Sequence, residues 1–420
     1  MRRESGLGLT LGVLLLVYIF NFLDRQVATI LAEPIARELH LSDTDIGLMT
    51  GLSFALLYTA LGLPIAKIAD RPGTNRVKLI AVAVALWSVM TALCGLARSF
   101  PQLLAARVGV GIGEAGCTPP AHSLISDKAT PDNRSRALAI YQLGPPLGGL
   151  IGMVMGGLLA DRMGWRTAFF VVGIPGLLLA LLVLLVVTDP RDNRSEAAAA
   201  APAAMSAREA LAAIGRSRAL RLMLVCAAFS SSAGYGVMIW GTIFFQRSHH
   251  LTAGQTGVWF GLVNGIGSGL GVWLGGHLGD WQRRKHGKRA LLHWVSIALM
   301  ASSPLLLAAL LASDWRVAMG LFLPSILLAW LYVAPYYSAA QGLVPPGARA
   351  MASATVLFVQ NLIGLGVGPL VLGMASDGLK PVLGAESVRS VLFIGSSFGV
   401  IGGLLLLRAS RYLPEELDRP

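Results

Sequence analysis

An acid and a base stand side by side at Asp24-Arg25, inside a run that is otherwise apolar from about Leu7 to Leu31. A second set of charges, Arg107 and Glu114, interrupts another apolar run, and with Gly111 these residues fall at i, i+4 and i+7, one face of a helix. A charge at the centre of a bilayer costs at least about 3 kcal/mol, so all four side chains are expected to face protein or water. Burial favours the protonated form of a carboxylate and a neighbouring arginine opposes it. Asp24 or Glu114, exchanging partners between Arg25 and Arg107, is therefore a candidate proton carrier. The alternative is a static ion network that fastens helices together. Glycines 109, 111 and 113 admit a close neighbour, expected to be the helix that carries Asp24.

The elements that hold these charges are membrane spans. The chain has 420 residues, 55% hydrophobic and 13% charged, against about 25% charged in soluble domains. Its apolar blocks are each long enough to cross about 30 Å of hydrocarbon as a helix. Twelve spans are predicted, at 8–35, 46–68, 77–97, 101–126, 135–160 and 165–188, then 219–245, 253–279, 289–312, 315–342, 349–376 and 387–408. The first continues past Leu31 toward Ala36. Lysines and arginines favour the segments on one side by about three to one, which puts both termini in the cytoplasm of a cell (inner) membrane protein.

The net charge of +12 lies in short loops on alternate sides of the spans, so it reports topology and not a nucleic-acid surface. Cys94, Cys117 and Cys226 sit inside spans without a CxxC or a His/Cys cluster, so neither disulfides nor a metal site is indicated. Arg2 and Arg3 precede an apolar run too long for a signal peptide, which reads as a retained first helix.

Residues 189–218 form a polar, Ala-rich linker between an N-terminal bundle at 1–188 and a C-terminal bundle and tail at 219–420. Ser206–Arg221 within and beyond it can form an amphipathic surface helix. The halves echo each other. Asp70-Arg71 ends the second span and Asp280 ends the eighth, while Gly144-Pro145 is matched by Gly368-Pro369. Repeats of this kind are a transporter architecture. Asp70, Arg71, Arg76 and Asp280 make a candidate cytoplasmic gate, to which the Asp127, Arg134 and Arg136 loop supplies partners. Gly144-Pro145-Pro146 reads as a bending point or a tightly packed kink.

No Asp, Glu, Lys or Arg lies in the interior of a span of the second half. Its polar cavity lining would be Tyr235, Trp240, Asn264, Tyr332, Tyr336, Tyr337, Gln360 and Asn361, facing an amphipathic substrate. His122 reads as structural or solvated. There is no HExxH, no Ser/His/Asp set and no P-loop, so an enzyme or an ATP-driven pump lacks its residues. A receptor would not need the repeat.

These features together resemble the major facilitator superfamily: twelve spans in two halves, the Asp70-Arg71 loop with its Asp280 echo, Arg107 with its glycines, and Gly144-Pro145. More narrowly, Asn21-Phe22-Leu23-Asp24-Arg25, Gly111-Ile112-Gly113-Glu114-Ala115 and Arg134-Ser135-Arg136 resemble the spinster family. The resemblance implies an all-α fold of two pseudo-symmetric six-helix bundles and alternating access. It also implies proton-linked movement of lysophospholipids or sphingosine-phosphate-like lipids, coupled through Asp24, Arg25 and Glu114. A monomer in the lipid bilayer with no cofactor, the proton being the coupling ion, is expected. Ala66-Lys67 and Pro72-Gly73-Thr74 depart from the superfamily loop. Organic-anion symporters share a similar Asn-x-x-Asp-Arg stretch, and drug antiporters a similar Gly-Pro-x-x-Gly-Gly, so both substrate classes stay open.

Overall fold

The computed structural model describes residues 6–71, 73–130, 133–193 and 207–417. Arg2, Arg3 and the Ala-rich part of the linker lie outside them. Helix accounts for nearly all of the described chain, and no strand occurs among the described residues. Cα packing divides it into two compact units, 1–199 with 251–261 and 200–250 with 262–420.

The first unit contains α1 Leu7–Ile30, α2 Ala32–Leu39, α3 Asp43–Gly47, α4 Ser53–Asp70 and α5 Arg76–Leu96. It continues with α6 Phe100–Ala115, α7 Thr118–Lys128, α8 Arg134–Tyr141, α9 Gly144–Met163 and α10 Trp165–Val186. The second holds α11 Ala207–Arg216, α12 Arg218–Arg247, most of α13 Ala253–His286, α14 Ala290–Leu311 and α15 Trp315–Trp330. It closes with α16 Val333–Gly342, α17 Arg349–Val359, α18 Gly368–Leu383 and α19 Ser387–Leu417. Among the described residues ten stretches are long and apolar enough to cross a membrane. One of them, Met351–Leu417, runs through two of the spans read from the sequence. The predicted fourth span is not among them, since Arg107, Glu114, Pro119, Pro120 and His122 lower its hydropathy.

Proline accounts for the breaks. A proline lacks the N–H that would bond four residues back, and its ring crowds that carbonyl. Pro34 faces Ile30 in this way, so the first helix stops at Leu31 instead of continuing to Ala36. Pro119 and Pro120 interrupt the fourth span at Gly116-Cys117, between α6 and α7. Pro145 and Pro146 separate α8 from α9, so the bending point is a break at Gln142-Leu143. Pro335 does the same between α15 and α16. Two stretches widen into π-helix, Leu48–Leu52 before α4 and Gln360–Val367 between α17 and α18.

Close packing on α1 comes from α9. A Cβ on Gly144 would lie 2.7 Å from Tyr18, one on Gly152 2.6 Å from the Leu23 carbonyl oxygen, and one on Gly148 would overlap the Ile19 carbonyl. These glycines, four apart, bring the backbone of α9 onto the helix that carries Asp24 and Arg25. The glycines of α6 meet other helices than the expected one. Gly111 lies against Phe54 of α4, and Gly109 and Gly113 against Met90 and Trp87 of α5. That arrangement still brings Glu114 to Arg25, because α4 and α5 fix the position of α6.

In the second unit Leu220, Met223, Val295, Tyr336, Val356 and Leu406 belong to one buried cluster, joined by Ala210 and Ile214 of α11. The amphipathic helix thus turns Ala210 and Ile214 to protein, while Leu211 is exposed. It ends at Arg216, and Leu220 already belongs to α12.

Candidate functional site

The four charges read from the sequence meet in the first unit. Arg25 Nε donates to Glu114 Oε2 at 2.6 Å, and its Nη2 donates to Asn21 Oδ1 one turn back at 3.2 Å. The guanidinium lies over the rings of Phe22, Phe54 and Tyr58, at 4.7, 4.5 and 4.6 Å from their centroids. A planar, delocalised cation suits such an enclosure, since each ring face is electron-rich. Glu114 is fully buried and Arg25 nearly so.

The other pair is looser. Arg107 Nη1 stands 3.9 Å from Asp24 Oδ1, both side chains being buried. Asp24 Oδ2 accepts a hydrogen bond from the Thr91 hydroxyl of α5. Asp24 Oδ1 and the Nε and Nη1 of Arg107 have no hydrogen-bond partner among the described residues. One pair is thus held by a short charge-assisted bond and three rings, and the other by Coulomb attraction across a gap. Removing either partner of a buried pair leaves an uncompensated charge, which costs more than the intact pair contributes.

A second cluster lies at the end of this unit where α5 begins. Arg76 has no exposed surface. Its Nε donates to Asp189 Oδ2 at 2.9 Å, and its Nη1 to Asp127 Oδ2 at 2.7 Å and Ser123 Oγ at 2.9 Å. Arg191 reaches the same Asp127 oxygen at 3.0 Å and the Ala69 carbonyl at 3.2 Å. Burial alone would raise the Asp189 carboxyl, but hydrogen bonds and charge from Arg76, with the Arg191 N–H, hold it below the usual carboxylate range. Of the gate residues read from the sequence, this cluster gathers Arg76 and Asp127. Arg71, Arg134 and Arg136 are exposed, and the side chain of Asp70 lies outside the described residues. Asp127 is served by Arg76 and Arg191 rather than by Arg134 and Arg136. Asp280 is exposed and sits inside α13, which runs on to His286 instead of ending beside it.

Sequence reasoning missed Asp189 and Arg191 as members of this cluster. The signal was present: an acid directly follows the sixth span, at the same end as Arg76. Thr91, Phe54 and Tyr58 offered less, since a threonine or an aromatic in an apolar span has an ordinary packing role.

The residues proposed to line a cavity in the second unit divide into two sets. Trp240 and Tyr336 have no exposed surface. Trp240 Nε1 donates to the Pro369 carbonyl at 3.2 Å and Tyr336 Oη to the Met223 carbonyl at 2.6 Å. They are packed interior, as is Tyr332, whose hydroxyl lies 3.0 Å from Ser230 Oγ. Tyr235, Asn264, Tyr337, Gln360 and Asn361 are half-buried. Tyr337 Oη donates to Gln360 Oε1 at 2.7 Å, at the start of the second π segment.

A multi-pass, all-helical chain with paired charges inside its apolar spans has the build of a membrane transporter. The profile of the Major Facilitator Superfamily matches residues 14–369, and the chain belongs to that superfamily. An MFS-type efflux pump of Mycolicibacterium smegmatis is 37% identical over 405 residues, covering 96% of this chain and 92% of that one. Protein spinster homolog 1 of Xenopus tropicalis is 25% identical, over 97% of this chain and 81% of that protein. A solved bacterial homolog to the human lysosomal transporter spinster, inward-facing and unoccupied, superposes with a TM-score of 0.88 at 30% identity, over 99% of both chains. This is a spinster-like transporter and not an enzyme.

Proposed function

We propose that the chain is a proton-coupled transporter that works by alternating access. Its substrate is an amphipathic, lipid-like molecule of the lysophospholipid or sphingoid-phosphate class. The protein acts as a monomer in the cell (inner) membrane with both termini cytoplasmic, and it needs no bound cofactor because the proton is the coupling ion. One observation carries this reading: two carboxylates in apolar spans each stand beside an arginine, and one of the two pairs is loose. A group that must gain and lose a proton cannot be pinned by a full set of donors, and Asp24 is not. The likeness to spinster proteins supports the lipid-like substrate. The Arg76, Asp127 and Asp189 cluster would serve as the gate at the cytoplasmic end.

A sugar acid or other small organic anion would need an accessible arginine, whereas Arg25 is committed to Glu114 and three rings, and Arg107, though it has unused donors, is buried beside Asp24. Outward drug/proton exchange is the second reading, favoured by the relative described as an efflux pump.

The test is flux of a fluorescent lysophosphatidylethanolamine in proteoliposomes with an imposed pH gradient and an internal pH dye. Wild type is expected to move lipid and protons together, and Asp24→Asn and Glu114→Gln to abolish gradient-driven flux. Lipid flux indifferent to the gradient and to both substitutions sinks the proton role. Gradient-driven flux of a cationic drug but not of the lipid favours the second reading.

A further inference from the structure

Hydroxyl side chains in these helices usually bond to their own backbone. Thr29 donates to the Arg25 carbonyl, Thr50 to Ile46 and Ser53 to Met49, each four residues back. This is the ordinary fate of a threonine or serine in a helix. Thr91 departs from it. It is buried in α5, and its hydroxyl leaves its own helix to donate to Asp24 Oδ2 on α1. Among the described residues no other donor bonds to that carboxylate.

The consequence is geometric. With Oδ2 held by Thr91, the remaining oxygen is Oδ1, which has no hydrogen-bond partner and faces Arg107 Nη1 across 3.9 Å. Threonine suits this task because its branched Cβ limits χ1. Its hydroxyl is also both donor and acceptor, so it can stay with the carboxyl in either protonation state. We propose that Thr91 is the positioning residue for proton uptake by Asp24: it holds Oδ2 and presents Oδ1 as the oxygen that takes the proton. In this step a proton from water adds to Oδ1, the carboxylate becomes a neutral carboxyl, and its attraction for Arg107 is lost. The proposal rests on the proton-coupled reading above.

The other groups around Asp24 are few. Arg107 and Glu114 approach from α6, Cys94 from α5, and Arg25 from its own helix. Residues 144–160 of α9 and 167–186 of α10, which pack on α1, contain no ionisable side chain. Tyr141 of α8 stacks on Tyr18, with His122 of α7 against it, nearly two turns from Asp24. At the far end of α1, Glu33 of α2 pairs with Arg37. Removing the Thr91 hydroxyl therefore changes one contact in a sparse setting.

Infrared difference titration of the full-length protein in lipid reads the carboxyl C=O stretch directly and needs no substrate. Asp24→Asn identifies the Asp24 band. A hydrogen bond to the charged form favours that form, so Thr91→Val is expected to move the band's midpoint up by about 1 pH unit and to change its frequency. Thr91→Ser, which keeps the hydroxyl, is expected to restore the wild-type midpoint. Thr91→Cys, with a weak donor, should give an intermediate shift, and it serves if the valine variant does not fold. A wild-type midpoint in Thr91→Val, or equal shifts in Thr91→Val and Thr91→Ser, overturns the assignment of Thr91 alone. No titrating Asp24 band in the wild type overturns it together with protonation at Asp24.

Discussion

At the scale of single residues, two arginines of the same type are held in opposite ways. Arg25 is enclosed by Phe22, Phe54 and Tyr58 and bonded to Glu114, whereas Arg107 leaves donors unused beside Asp24. Lysine keeps the charge but has neither the planar face nor the Nε donor. Arg25→Lys is therefore expected to lower stability in detergent by about 1–3 kcal/mol, read from chemical unfolding, whereas Tyr58→Phe keeps a ring face and should cost less. Asp189 gives a pH prediction. Its folded-state carboxyl sits below the ordinary range, so its contribution is complete above about pH 4 and is lost as pH falls through the lower folded value. Thermal unfolding of the wild type should weaken across that acid window. Asp189→Asn should be destabilised at neutral pH by about 3 kcal/mol and show a flatter acid limb. The mid-span charges, and Arg76 with Asp127 of the second cluster, were legible because a charge in or beside an apolar span has few innocent explanations, whereas Asp189 and Arg191 lay in a stretch read as linker. Thr91 was not legible, because only its partner distinguishes it from any other buried threonine.

At the scale of elements, the sequence located the spans and marked one bend, at Gly144-Pro145-Pro146, but not the other interruptions. Hydropathy averages over some twenty residues and passes smoothly across Gly116-Cys117, Gln142-Leu143 and Leu331-Tyr332, where prolines a few residues later stop the hydrogen-bond ladder. The π segments left no hydropathy signal either. Glycine placement told more about neighbours than about bending. On α9 the positions facing α1 have no space for a methyl group, while a Cβ at Gly149 would meet its nearest atom, on Gln26, at 3.8 Å. Gly152→Ala is expected to destabilise the first unit by about 1–3 kcal/mol through overpacking, and Gly149→Ala to be neutral or mildly stabilising through better helix propensity. Melting curves of the two purified variants, side by side, check both.

At the scale of the whole molecule, the fold was legible from the repeat of apolar blocks, and its assignment to the superfamily rests on a match from 14 to 369. The assignment of side chains to a polar lining fared less evenly, because aromatic residues with a hydrogen-bonding tip serve equally well as core, as Trp240 and Tyr336 do. The four charged side chains that lie mid-span, Asp24, Arg25, Arg107 and Glu114, all belong to the first unit, and in the second the charges of the spans sit near their ends. That asymmetry bears on how such a chain can evolve. Substitutions in the second unit alter shape and neutral polarity without meeting a mid-span charge, so a lineage can explore new cargo there while the charged core is inherited unchanged. Recombinants that join this first unit to the second unit of a diverged relative should fold and keep one charged core while differing in what they carry.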